Sequence, residues 1–167
     1  IESLRQGIRG NLEHTLLSLT RNTVKRQILN ALLLKNPIKV PKSMVDTEIQ
    51  RLTQSRVEYT DDAKIREVVE KEATTRVQMG LLIKELIQAN QIQASPEKMR
   101  ELIEEFAEAY EDPKAVANAY FQDPQRLREV EAIVLENEVV EFLLKNAKIT
   151  EKPMSFYELS EKSKQNQ

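Results

Sequence analysis

The chain has no cysteine, one histidine and three glycines among its 167 residues, and each shortage removes a class of chemistry. Without Cys there is neither a disulfide nor a thiolate metal site, and the absence fits a reducing compartment. With Gly only at positions 7, 10 and 80, no Gly-rich loop is available to cradle a phosphate. No GxSxG elbow occurs, and a single His cannot support the usual triads. His14 lies in a helical pattern with Gly10 and Ser18 one turn away, so neither a second metal ligand nor a proton-transfer partner stands beside it. The net charge of −2 gives no global basic field to draw nucleic acid. No run approaches the roughly 18 apolar residues that a membrane span needs. The chain opens at Ile1 without Met or a signal pattern, so we expect a piece of a longer protein or a processed product.

What remains is 40% hydrophobic and 31% charged, too rich in periodic Leu, Ile and Val for a disordered chain and well suited to helices. Leu4, Ile8, Leu12, Leu16, Leu19, Ile28 and Leu32 recur at three and four, which predicts a long helix from Ile1 to about Lys35. Gly7 and Gly10 weaken its start by roughly 1 kcal/mol each relative to Ala. Asn36-Pro37 ends it, because the residue before a Pro is pushed out of the helical region. A second helix starts at Pro41 with Met44, Val45, Ile49 and Leu52 as its stripe. The polar stretch from Gln54 to Asp62 reads as a loop tip, with Thr60 or Asp61 capping a third helix that runs to about Asn90. These two helices form an αα-hairpin.

Ser95-Pro96, Asp112-Pro113 and Asp123-Pro124 are three helix starts, each with a capping residue before a first-turn Pro. They predict two short helices and a longer one from about Pro124 to Asn146. Ser155 and Glu158 form a capping box for a brief last helix, and Ser160 to Gln167 is expected to fray. No strand-period alternation of useful length appears, so the fold class is all-α. The unequal helix lengths argue for an elongated, open arrangement over a symmetric bundle, which leaves apolar side chains for partners.

Four of the eight Phe and Tyr residues, Phe106, Tyr110, Tyr120 and Phe121, fall between Met99 and Pro124, with no catalytic group nearby. Phe106 and Tyr110 at i, i+4 on a helix fit either core packing or a surface that grips other chains. Tyr120 and Phe121 are adjacent, so they diverge on a helix and at least one faces away from a shared core. The carboxylates Glu101, Glu104, Glu105, Glu108, Glu111 and Asp112 read as a solvated helix face, since the segment lacks the Gly bend of a calcium loop. The basic spot from Arg21 to Arg26 reads the same way.

Several tracts together resemble the C-terminal domain of bacterial trigger factor, a ribosome-associated chaperone family. They are Tyr110-Glu-Asp-Pro-Lys114 with Val116, Ile38-Lys-Val-Pro41 followed by Val45-Asp46 and Glu48-Ile49, and Val77 to Leu86. The fourth is Ile149-Thr-Glu-Lys152 with Phe156 and Glu158-Leu159. Their order covers essentially the whole chain. The periplasmic chaperone SurA has a similar helical domain. The resemblance implies one domain over residues 1–167: a first arm at about 37–92, a second arm with its return helix at about 95–147, and a tail at 148–167. It implies a cytoplasmic, ATP-independent chaperone without a cofactor, whose apolar patches hold unfolded or nascent polypeptides. It places the second-arm patch on Phe106, Tyr110 and Val116. A family aromatic aligns with Ala119 here, and Tyr120 or Phe121 is expected to take its place. Met44, Ile49 and Leu52 are the first-arm candidates. The family's ribosome-docking segment and FKBP-type prolyl isomerase domain are missing, so ribosome contact is expected only through an absent N-terminal domain and this chain is not expected to be an enzyme. The alternative is a helical scaffold or dimerisation module linking those domains, and a homodimer fits either reading.

Overall fold

The computed structural model describes residues 2–54 and 63–164. It contains seven helices and no strand among those residues: α1 (Glu2–Lys35), α2 (Lys42–Gln54), α3 (Ala63–Asn90), α4 (Pro96–Ala107), α5 (Pro113–Gln122), α6 (Pro124–Asn146) and α7 (Phe156–Lys164). The all-α expectation therefore holds.

Local chemistry accounts for most of the boundaries. The Asn36 backbone N–H and side-chain amide both donate to the Leu32 carbonyl, closing α1 just ahead of Pro37. The Pro41 carbonyl accepts from the Met44 and Val45 N–H groups and so opens α2. At the end of α3, Gln91 takes a left-handed φ of 51°. Its N–H bonds to Gln88 and the Ile92 N–H to Ile87, the paired arrangement that satisfies the last carbonyls of a helix. Asp112 accepts from the Ala115 N–H, and Asp123 from those of Gln125 and Arg126. Ser155 and Glu158 cap each other reciprocally. With that start secured, α7 extends to Lys164, so Ser160 to Lys164 is helical where fraying was expected. Ser95 occupies the N-cap position of α4, but its side chain makes no capping bond. The loop-tip caps Thr60 and Asp61 lie outside the described residues.

Packing is distributed over two separate cores. Val45 and Leu52 of α2 meet Val69 and Ala73 of α3, with Val40 and Ile49 against them. Ile103 of α4 meets Val130 and Val134 of α6, and α5 lies over both. Helix α6 is the hub, touching α1, α3, α4 and α5. Lys25 of α1 reaches Glu136 at 2.8 Å and Asn137 at 3.0 Å, and Lys98 of α4 reaches Glu138 and, at 3.1 Å, Glu141. These carboxylates raise the Lys98 ammonium pKa above its ordinary value, Glu138 first and Glu141 second. Gln78 on α3 donates to the Ile38 carbonyl and ties the hairpin to its own lead-in strand of chain.

The accessible surface is 13339 Å² for 19.3 kDa. A compact monomer of that mass exposes about 8,500 Å². The excess is the physical content of an elongated fold: helices that meet along single stripes leave their other faces, and some apolar residues, in water.

Candidate functional site

The α4–α5–α6 corner brings two of the four aromatic residues, Phe106 and Tyr120, together. Helix α4 ends at Ala107, where the Glu108 N–H bonds to the Glu104 carbonyl. Tyr110 therefore lies in a bend beyond the helix, not one helical turn above Phe106. The i, i+4 stripe read from the sequence is broken there, and the two rings take different environments. Phe106 is half-buried against the Ile103, Val130 and Val134 core, whereas Tyr110 is 59% exposed.

Tyr120 and Phe121 diverge as adjacent helical residues must. Tyr120 turns inward onto the same core, with its ring 6.3 Å from that of Phe106 at an interplanar angle of 44°. Phe121 faces out and is 43% exposed. The Arg126 guanidinium lies 5.3 Å over the Tyr120 ring and 3.3 Å from the Asp123 carboxylate, so one arginine braces the ring and the α6 cap together. Val116 is half-buried on α5. The corner thus holds two packed rings, Phe106 and Tyr120, and leaves Tyr110 and Phe121 exposed. The α4 carboxylates Glu101, Glu104, Glu105 and Glu108 are all exposed, in keeping with a solvated face.

On the hairpin the three candidates separate. Met44 is exposed and Ile49 half-buried, but Leu52 is 5% exposed and belongs to the α2–α3 core. That corrects the expectation for Leu52, whose side chain is already used by Val69 and Ala73 and is not offered to a partner. Two apolar residues of α3, Ile65 and Val68, are exposed as well. The signal was present: Val68 is adjacent to the buried Val69, so the two cannot share a face.

Next to Met44 and Ile49 in sequence, Glu48 is held by Arg51 through two hydrogen bonds of 2.8 and 2.9 Å, and Arg76 of α3 approaches at 3.6 Å. The Arg51 hydrogen bonds, followed by the charges of Arg51 and Arg76, outweigh partial burial and hold the Glu48 carboxyl below its ordinary pKa. Among the described residues no three His, Cys, Asp or Glu side chains converge as a metal site requires. Among the same residues no helix is long and apolar enough to cross a membrane.

The corner and the hairpin thus leave Tyr110, Phe121, Met44, Ile65 and Val68 exposed. Residues 1–145 match the family described as the bacterial trigger factor protein C-terminus. Trigger factor of Paraburkholderia phymatum is 41% identical over 169 residues, covering 96% of this chain and 38% of that protein. Trigger factor of Burkholderia vietnamiensis is 40% identical over 174 residues, covering 99% and 39%. That of Paraburkholderia xenovorans is 40% identical over 169 residues. The chain thus spans about two fifths of the length of these curated relatives. By the family match and by this near-complete coverage, the chain belongs to the C-terminal family of bacterial trigger factor.

Proposed function

We propose that this chain is the client-holding part of a chaperone that works without nucleotide, and that it captures unfolded or nascent polypeptides on apolar side chains of the α4–α5–α6 corner and of the hairpin. The observation that carries the reading is that the corner packs Phe106 against Tyr120 and leaves Tyr110 and Phe121 exposed. The half-buried rings are fixed by packing and lose little side-chain freedom when a client covers their exposed parts, and Tyr110 and Phe121 add apolar area beside them in the chain.

An unfolded client exposes apolar segments, and covering them on such a surface gains roughly 25 cal/mol per Å², much of it offset by ordering the client. Each contact is weak. Contacts at the corner and at Met44 and Ile49 engage one client together, so the second forms at a high effective concentration. The arm at about 37–92, the arm with its return helix at about 95–147 and the tail at 148–167 are the units of this reading. Docking to the ribosome, prolyl isomerisation and a cytoplasmic site of action are what the family resemblance implies for a longer protein, and this chain spans about two fifths of the length of its relatives.

The test is aggregation of a chemically unfolded client with and without the chain, at several ratios and without ATP. Suppression that falls with Tyr110→Ala and Phe121→Ala, at unchanged helicity, supports the assignment. A folded chain that fails to suppress aggregation, or double-variant chains that suppress it as well as the parent, would sink it.

A further inference from the structure

Helix α5 carries Phe121 at the corner, yet it has no buried side chain of its own. Among the described residues it touches α4 and α6 and no other helix. A ten-residue helix with so little burial is marginal by itself, so its orientation depends on what holds it. Its inner face is Val116, Ala117 and Tyr120, all half-buried, with Ala117 and Tyr120 on the α4–α6 core. Tyr120 is held by both neighbours: the Phe106 ring of α4 lies 6.3 Å away and the Arg126 guanidinium of α6 lies 5.3 Å over its ring. The joint between α5 and α6 is Asp123 alone. Its N–H donates to the Tyr120 carbonyl at 3.3 Å. Its carboxylate accepts from the Gln125 and Arg126 N–H groups at 2.9 and 3.4 Å and pairs with the Arg126 guanidinium. One side chain therefore grips the joint and the last turn of α5 at once.

We propose, on the client-holding reading, that Arg126 is a positioning residue for client capture: by holding the Tyr120 ring and Asp123 it fixes the rotation of α5 on α6 and keeps Phe121 turned outward. Phe121 follows Tyr120 by one residue, about 100° further round the helix. A roll that lifts Tyr120 from the core therefore carries Phe121 away from its outward direction. The seated α5 is the capture-competent state, and the apparent affinity scales with the fraction of chains in it. The Arg126 side chain is half exposed, so its removal lowers that fraction and leaves the packed Ile103, Val130 and Val134 core in place. Methionine keeps an apolar stem but loses both the cation over the ring and the partner of Asp123. Lysine keeps a cation able to meet both.

Binding of labelled, reduced and carboxymethylated lysozyme, a permanently unfolded probe, tests the proposal together with hydrogen exchange of the client-free chain. Arg126→Met is expected to weaken probe binding about threefold or more at unchanged circular dichroism. It is also expected to speed exchange at the α5 amides, while α4 and the centre of α6 keep their parent rates. Arg126→Lys is expected to restore most of both. In a Phe121→Ala background, Arg126→Met is expected to add little further loss of binding, because the ring it positions is gone. An Arg126→Met chain that binds the probe as the parent does, or that exchanges faster in all three helices alike, overturns the proposal. So does a loss of binding as large without Phe121 as with it, or an Arg126→Lys chain no better than Arg126→Met. A parent chain that does not bind the probe sinks this inference and the client-holding reading together, whereas equal binding by parent and Arg126→Met sinks this inference alone.

Discussion

Phe106 on α4 and Tyr120 on α5 face each other across the Asp112-Pro113 turn, with ring centroids 6.3 Å apart. Both lean on the α4–α6 core, so they serve stability first, while Tyr110 lies outside that core. Phe106→Ala is expected to cost about 1–3 kcal/mol in urea unfolding, less than a fully buried Phe because the ring is half exposed. Tyr110→Ala is expected to change stability by under about 0.5 kcal/mol yet reduce client capture. Equal losses of stability in the two variants would show that Tyr110 is a core residue.

The hairpin supports a second contrast. Leu52 is buried against Val69 and Ala73, and Met44 is exposed on the same helix. Leu52→Ala is expected to cost about 2–4 kcal/mol, and Met44→Ala under about 0.5 kcal/mol. Hydrogen exchange at the α2 and α3 amides is the sensitive measurement, because this small core is separate from the α4–α6 one and can open by itself.

Helix capping gives a third. Asp123 accepts from two α6 N–H groups and pairs with Arg126, whereas Ser95 makes no capping bond with its side chain. Asp123→Ala is expected to lower stability by about 1 kcal/mol and Ser95→Ala by much less, although both residues precede a Pro in the same sequence context. Comparing their thermal melts decides whether the bond or the residue type matters.

The fourth concerns acid. The Glu48 carboxyl sits below its ordinary pKa because the Arg51 hydrogen bonds, and then the charges of Arg51 and Arg76, favour the charged form. A depressed carboxylate contributes stability that is fully present above the unfolded pKa and is lost as pH falls through the folded one. Glu48→Gln is therefore expected to melt lower than the parent chain at pH 7. The gap should narrow once the pH drops below about 4.5 and close when the folded-state carboxyl is protonated. A gap that stays constant across that window would mean that Glu48 acts by packing and not by charge.

Much of this fold was legible residue by residue. Asn36-Pro37, Asp112-Pro113, Asp123-Pro124 and the Ser155–Glu158 box act within a few residues of chain, and their chemistry alone set where α1 ends and where α5, α6 and α7 begin. The adjacency of Tyr120 and Phe121 likewise required that the rings diverge. Other features needed the tertiary structure. Leu52 and Met44 share a helix and a pattern, and only the placement of α3 buries one and leaves the other out. The spacing of Phe106 and Tyr110 promised a common face, but α4 stops at Ala107 and that face does not exist. The difference is physical: backbone preferences and caps are local interactions of three or four residues, whereas burial depends on which distant helix arrives, and on what it leaves uncovered.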